Sequence, residues 1–176
     1  MVSVKPTKIL SDEHQNILKV ADVLNRESDS SENSKKLDAA FFRKAIDFIR
    51  NYADKFHHQK EEDILFRELC KDSVQMHCNP VEQMLHEHNI GRNFVKGMEG
   101  GLVEKSKEKT LENARGYVQL IQQHIFKEDN ILYPMADEAL NQKVQEVMFE
   151  RFKKVEKTNK DWKRCLSIVK EFEKRR

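Results

Sequence analysis

Apolar residues recur along most of the chain at alternating intervals of three and four, the spacing that places them on one face of an α-helix. The clearest example is a seam formed by Val81, Met84, His88, Gly91, Val95, Met98 and Leu102. The pattern predicts five helices, over about 8–27, 37–71, 79–100, 106–131 and 141–174. The first four, joined by modest loops, predict an all-α fold, an up-down-up-down four-helix bundle with an additional C-terminal helix.

Serine, glycine and proline mark the predicted helix ends. The Ser-rich segment 27–36 predicts a polar loop that buries nothing. The Asn79-Pro80 pair predicts the start of the third helix, as its cap and first helical residue. The glycine pair at 100–101 predicts its end. Pro134 is expected to end or kink the fourth helix, because proline lacks the N–H that the helix interior requires.

The length of 176 residues suits one compact domain with a substantial core. Residues 1–140 are predicted to form the bundle, and residues 141–176 a C-terminal helix packed on it or extending from it. Pairing of that helix with another chain is the weaker alternative, because polar Asn159 interrupts its apolar seam. The sequence leaves the oligomeric state open.

The amino-acid composition further limits the fold class and the kinds of partner that the chain is expected to have. Charged residues make up 35% of the chain, with only five glycines and three prolines, which suits long amphipathic helices better than a sandwich or barrel. A net charge of +2 is too small to predict a nucleic-acid partner. No segment predicts a membrane span, and the first ten residues lack a signal-peptide core. Three widely spaced cysteines make neither a disulfide framework nor a metal clip, and thiols fit a cytoplasmic location.

Ionisable residues interrupt the apolar seams, and burying them costs several kcal/mol unless something pairs with them. Segments 57–66 and 124–133 repeat one motif, H-x-x-K-E-acid-x-I-L-aromatic. A histidine and a glutamate four residues apart lie on one helix face. His57 with Glu61, and His124 with Glu128, are therefore expected to reach a metal on the bundle axis.

A second repeat completes the ligand set. Glu13-His14 on the first helix resembles Glu87-His88 on the third, so the two kinds of motif alternate along the chain. A duplicated helix hairpin would bring two half-sites together about a pseudo-twofold axis. Each metal would then receive two imidazoles, and the two motif glutamates would bridge both metals. Such mixed ligation suits iron, or less well manganese, better than the closed shell of structural zinc.

From about residue 9 to residue 136 the chain resembles the hemerythrin-like, HHE cation-binding family. The resemblance implies a centre of two iron ions that engages O2, NO or peroxide, with an electron donor that is not identified. The ligands that it implies are His14, His57, Glu61, His88, His124 and Glu128. No separate catalytic side chain is predicted.

The chain departs from the oxygen-carrying hemerythrins in two ways. Those proteins carry a histidine pair four apart on the third helix, where this chain has Met84 before His88. Their last carboxylate is an aspartate at another spacing, where this chain has Glu128. One ligand fewer predicts a more open and symmetric centre. Simple O2 carriage is therefore disfavoured relative to NO binding, peroxide chemistry or iron donation.

Three other functions stay open at this stage. The chain would be a sensor or interaction module if metal orders the bundle and the C-terminal helix reads that out. It would be an NO reductase or a peroxidase-type enzyme if it turns over with an electron donor. It would be a structural zinc protein if it is colourless and indifferent to O2.

His58 and Glu62 form a competing H-x-x-x-E pair. Comparison with the second repeat favours His57, because Ile125 stands at the position that corresponds to His58. His58 lies about 100° further around an α-helix and is predicted at the rim or surface. The residues predicted to be solvated are Glu62, Asp63, His77, His86 and Asp129. Asp54 is either a support for a ligand histidine or a plain surface residue. The aromatic residues predicted as core or end-cap residues are Phe66, Phe94, Tyr117 and Tyr133.

Gly91 occupies a seam position where the first half of the repeat has Ile17. Glycine there costs about 1 kcal/mol of helix stability relative to alanine. Either it permits close helix packing, or it leaves a gap that admits a diatomic ligand. Gly91, Ile17 and Ile121 are the predicted ligand-access residues. The apolar residues expected to exclude water are Ile17, Ile64, Ile121 and Ile131.

Overall fold

The computed structural model describes residues 4–34, 36–75 and 80–175, and within these ranges all regular structure is helical. The α-helices are α1 (Pro6–Asn33), α2 (Ala39–Phe48), α3 (Phe66–Leu69), α4 (Val81–Glu104), α5 (Lys107–Lys127), α6 (Tyr133–Ala139), α7 (Gln142–Thr158) and α8 (Asp161–Glu173). The π-helical segments are Ile49–His58, Glu61–Leu65 and Glu128–Leu132. The predicted all-α helical bundle is confirmed.

Two of the bundle helices are composite. The second runs from α2 through two π-helical segments into α3, and the fourth runs from α5 through one such segment into α6. Together with α1 and α4 they enclose two apolar clusters. One cluster contains Ile17, Phe48 and Ile121, and the other contains Leu10 and Ile64. On each bundle helix, buried histidines and glutamates stand between the residues of one cluster and those of the other. They form a polar layer between the two clusters.

The predicted loop at 27–36 is wrong over most of its length, because α1 continues to Asn33. Ser28 and Ser31 are buried on this last stretch. The Ser28 hydroxyl donates to the Leu24 carbonyl oxygen at 2.7 Å. A serine that bonds the carbonyl one turn back satisfies itself inside a helix, which a composition rule for loops does not anticipate.

The third helix also continues past its predicted end, to Glu104. Lys105 closes it in the left-handed conformation, with φ at 56°, and the Ser106 N–H bonds the Gly101 carbonyl oxygen at 2.8 Å. Gly101 instead permits close packing, since a Cβ there would lie 2.5 Å from Thr110 Oγ1. The helix begins at Val81, and the predicted cap Asn79 lies outside the described residues.

Pro134 neither ends the fourth helix nor prevents its continuation to Ala139. The π-helical segment Glu128–Leu132 precedes it, and Pro134 occupies the first turn of α6.

The predicted C-terminal helix is two helices, α7 and α8, separated at Asn159. The Asn159 amide donates to the Lys55 carbonyl oxygen at 3.1 Å, and its side-chain oxygen accepts from the Asp161 N–H. Both helices bury apolar residues against the bundle, Phe152 in one cluster and Phe172 in the other. The domain boundary at residue 140 stays a prediction. None of the described helices combines the length and apolar character that a membrane span requires.

Candidate metal centre

The polar layer holds all six side chains that the repeated motifs single out, each at most 2% exposed. The carboxylate of Glu128 is placed between two histidines. Its Oε2 lies 3.2 Å from Nε2 of His14, and its Oε1 lies 3.2 Å from Nε2 of His124. We call His14 and His57 the first half-site, and His88 and His124 the second half-site. Glu128 therefore presents one oxygen to each half-site.

Glu61 is shared as well, but through one oxygen. Its Oε2 lies 3.6 Å from Nε2 of His57 and 3.5 Å from Nε2 of His88. Its Oε1 accepts a hydrogen bond from the Tyr133 hydroxyl at 2.6 Å. Tyr133 thus fixes the carboxylate, so that the prediction of a mere core or end-cap residue was incomplete.

Buried oxygens without partners lie at the middle of the cluster. Glu61 Oε2 and both Glu128 carboxylate oxygens lack a well-formed hydrogen bond within the described part of the chain. An unpaired buried oxygen is costly, and a cation bound between imidazoles and carboxylates would remove that cost. The donor set therefore fits metal ions.

Each of the four half-site histidines turns its other ring nitrogen outward, towards a carboxylate. The Nδ1 contacts are His14 to Asp129 at 3.0 Å, His57 to Glu13 at 3.0 Å, His88 to Glu62 at 2.7 Å, and His124 to Glu87 at 2.8 Å. A carboxylate at Nδ1 fixes the ring and leaves Nε2 as the inward donor, the usual arrangement of metal-binding histidines.

These outer carboxylates explain the rest of the repeated motif. The two motif lysines make equivalent contacts, because each donates to the glutamate of a Glu-His pair. Lys60 donates to Glu13, and Lys127 donates to Glu87. The acid after each motif glutamate also contacts a histidine, so the prediction that Glu62 and Asp129 belong to a solvated face was wrong. Their repetition within the motif was the signal, because a solvated face does not need an acidic residue at the same motif position in both repeats.

Burial and the neighbouring carboxylates shift the pKa values of the clustered side chains in opposite directions. Although burial opposes it, the neighbouring carboxylates of Asp129 and Glu128 raise the pKa of His14 to about 9. Burial also opposes the protonation of His124, but Glu128, Glu87 and Glu61 together raise its pKa to about 10. Burial, followed by repulsion from Glu128, raises the pKa of Glu61 well above its usual value. Burial has the opposite effect on the other two histidines of the centre, and it lowers the pKa of His57 and of His88.

His58, predicted at the rim, is 7% exposed, and its ring stacks on His88 with centroids 3.8 Å apart. The reason is the backbone, because Ile49–His58 is π-helical and turns less per residue than an α-helix. Two successive histidines can then both face inward. Asp54, left open between a support and a surface role, lies 3.5 Å from the His58 Nδ1.

Donor atoms fall into two groups in which every pair lies within 4.8 Å. One group consists of His14, His57, Glu61 and Glu128, and the other of His58, His88 and His124. The second group borders a cavity of about 180 Å³. Gly91 and Ile121, two of the predicted ligand-access residues, line this cavity. Ile17 does not line it and lies in an apolar cluster instead.

The other residues singled out in the sequence differ in their exposure to solvent. Ile17, Ile64 and Ile121 are buried as expected, whereas Ile131 is 48% exposed, so its predicted role in excluding water was wrong. His86 is exposed, and His77 lies outside the described residues. The described chain gives Tyr117 a buried hydroxyl with no hydrogen-bond partner, next to the cavity.

The fold and the cluster together define a helical cation-binding domain. The model of the family described as the hemerythrin HHE cation binding domain matches residues 5–136, and the chain belongs to this family. No curated protein and no solved structure matches the chain.

Proposed function

We propose that the centre holds two iron ions, one at each half-site, and that it binds or transforms O2, NO or peroxide. The observation that supports this most directly is the placing of Glu128, whose two oxygens face His14 and His124 on opposite sides. A carboxylate in that position is suited to two cations rather than one. Imidazole and carboxylate donors together favour iron, with manganese as the nearest alternative.

The chain's own residues then hold, orient and shield the centre. The outer carboxylates keep the Nε2 atoms inward, and the Tyr133 hydroxyl leaves Glu61 Oε2 free to face both half-sites. The two apolar clusters exclude water from the two sides of the polar layer along the bundle. When bound there, a pair of iron ions supplies redox-active, Lewis-acidic positions for a small ligand.

The cavity gives this proposal a direction of entry. It reaches His88 and His124, with Gly91 and Ile121 in its lining. A volume of about 180 Å³ is small, and suits a diatomic molecule or peroxide rather than an organic substrate. We therefore expect the ligand to approach the second half-site.

Metal content and optical spectra test the proposal. The full chain is loaded with ferrous iron without air and exposed in turn to O2 and NO. About two irons per chain, with an absorption change on exposure, is the expected result. Reversal of the O2 response under vacuum would favour a carrier over an NO reductase or peroxidase. One zinc per chain, or no metal and no spectral response, would contradict the proposal.

A pair of variants controls the experiment. Glu128→Ala removes both shared oxygens and is expected to abolish loading of the two-iron centre. His86→Ala removes an exposed histidine of the same helix as His88 and should leave loading unchanged. Equal loading of the two variants would show that iron binds elsewhere.

A further inference from the structure

The second half-site contains a polar trio that the first half-site lacks. Alignment of the repeated motifs places Asp54 and His58 opposite Ile121 and Ile125. Alignment of the two Glu-His pairs places Arg92 opposite Leu18. Three polar residues therefore stand in one half of the repeat where the other half has three apolar ones.

The three residues form one connected unit. Arg92 Nε donates to Asp54 Oδ1 at 2.8 Å, and Asp54 Oδ1 lies 3.5 Å from the His58 Nδ1. The Arg92 guanidinium also donates to Glu62 at 2.6 Å, and Glu62 bonds the Nδ1 of His88. One arginine thus holds the carboxylates behind two stacked imidazoles.

His58 resembles the four half-site histidines in having a carboxylate beside its Nδ1, but at a longer distance. Those four have a carboxylate 2.7 to 3.0 Å from Nδ1, and His58 has Asp54 at 3.5 Å. Its Nδ1 is buried and has no well-formed hydrogen bond among the described residues. A ring nitrogen of His58 lies within 4.8 Å of donor nitrogens of His88 and His124. Because Asp54 lies on the Nδ1 side, the other ring nitrogen is the one available to a cation shared with His88 and His124.

From these contacts we infer that His58 is a third imidazole ligand of the second half-site. The two metal positions are then chemically different. The first has two imidazoles and faces oxygens of both shared glutamates, while the second has three imidazoles, supported by Asp54 and Arg92. This assignment rests on the proposed two-iron centre, and it restores a fifth histidine from the second helix where Met84 stands on the third.

His58→Phe is the decisive variant. Phenylalanine has no donor nitrogen but keeps an aromatic ring at a position that stacks on His88 and borders the cavity. Full-length wild-type and variant proteins are titrated with ferrous iron without air against a competing chelator. Mössbauer spectra of isotopically enriched iron report each site separately. We expect the variant to keep the first iron and to bind the second at least about tenfold more weakly, with a change in only one iron signal.

Two further variants make the result unambiguous. His58→Ile, which introduces the residue found in the other half, should show the same loss if His58→Phe fails to fold. His86→Phe should behave as wild type. Wild-type affinity and an unchanged spectrum in a folded His58 variant would overturn the assignment and leave the two-iron proposal standing. A wild-type chain that binds no iron would overturn both.

Discussion

The two half-sites are built from the same parts and differ in what surrounds them. Each has two imidazoles, two outer carboxylates and a motif lysine. Around the first half-site these parts are more enclosed, since Lys60 is fully buried and Tyr133 donates a hydrogen bond to Glu61. Beside the second half-site Lys127 is 35% exposed, and a cavity reaches the histidines past Gly91.

The same difference appears in the sequence, where some residues repeat between the two halves of the chain and others do not. The residues that point at the centre repeat, because two equivalent metal positions would need the same donors. Other neighbouring positions do not repeat, with Phe66 opposite Tyr133, Ile17 opposite Gly91 and His58 opposite Ile125. The six repeated side chains, set in these unlike surroundings, are expected to give one position that holds metal and one that also meets a ligand.

The largest expected difference between the enclosed first half-site and the open second half-site is the loss of stability when the motif lysine is replaced. Lys60→Met leaves the Glu13 carboxylate without its buried partner, and we expect a loss of about 3–5 kcal/mol in the free energy of unfolding. Lys127→Met breaks the equivalent pair at a position that solvent reaches, and we expect a loss of about 1 kcal/mol or less. Urea unfolding of the metal-free proteins measures both. Equal losses would show that the two halves are equally enclosed.

A second comparison concerns the two buried tyrosines. Tyr133→Phe leaves the Glu61 Oε1 without its donor and should destabilise the protein by about 1–3 kcal/mol. It should also weaken iron binding, because the carboxylate that both half-sites share is no longer fixed. The measurements are urea unfolding and chelator competition.

Tyr117→Phe is the matched control, since the described chain offers the Tyr117 hydroxyl no hydrogen-bond partner. Its removal is expected to be neutral or slightly stabilising. A larger loss from Tyr117→Phe than from Tyr133→Phe would contradict the role assigned to the Tyr133 hydroxyl.

The sequence predicted the inward residues because their positions depend on local geometry alone. A histidine and a glutamate four apart share a helix face whatever the tertiary structure, and the repeat identified which pairs mattered. The structure brings those six side chains together, and their role as ligands stays a prediction. The helical fold followed from the same periodicity.

The errors arose where local geometry was not standard or where contacts were long-range. His58 was misplaced because a fixed angular step assumes an α-helix, and its segment is π-helical. The outer role of Glu62 depends on a hydrogen bond to His88 on another helix. Gly101 marks the close approach of α4 to Thr110 rather than a helix end. The contacts of Glu62 and of Gly101 both join different helices, so the sequence of one segment does not show them.

The smallest expected effect concerns the entrance to the open half-site. A Cβ at Gly91 would lie 3.6 Å from Leu120 and 3.8 Å from Tyr117, in ordinary contact, so that Gly91→Ala should fit and stabilise α4 by up to about 1 kcal/mol. Gly91→Leu extends into the cavity and should leave iron bound while slowing the binding of NO or O2, as measured by stopped-flow absorbance.

Gly100→Ala on the same helix serves as the control for Gly91, because a Cβ there meets only the flexible end of Lys109 and Glu104, remote from the cavity lining. It should give a similar gain in stability with unchanged association rates. If Gly91→Leu also left those rates unchanged, the ligand would have to enter by another path. The open surround of the second half-site would then be a consequence of helix packing, and the asymmetry would concern metal binding alone.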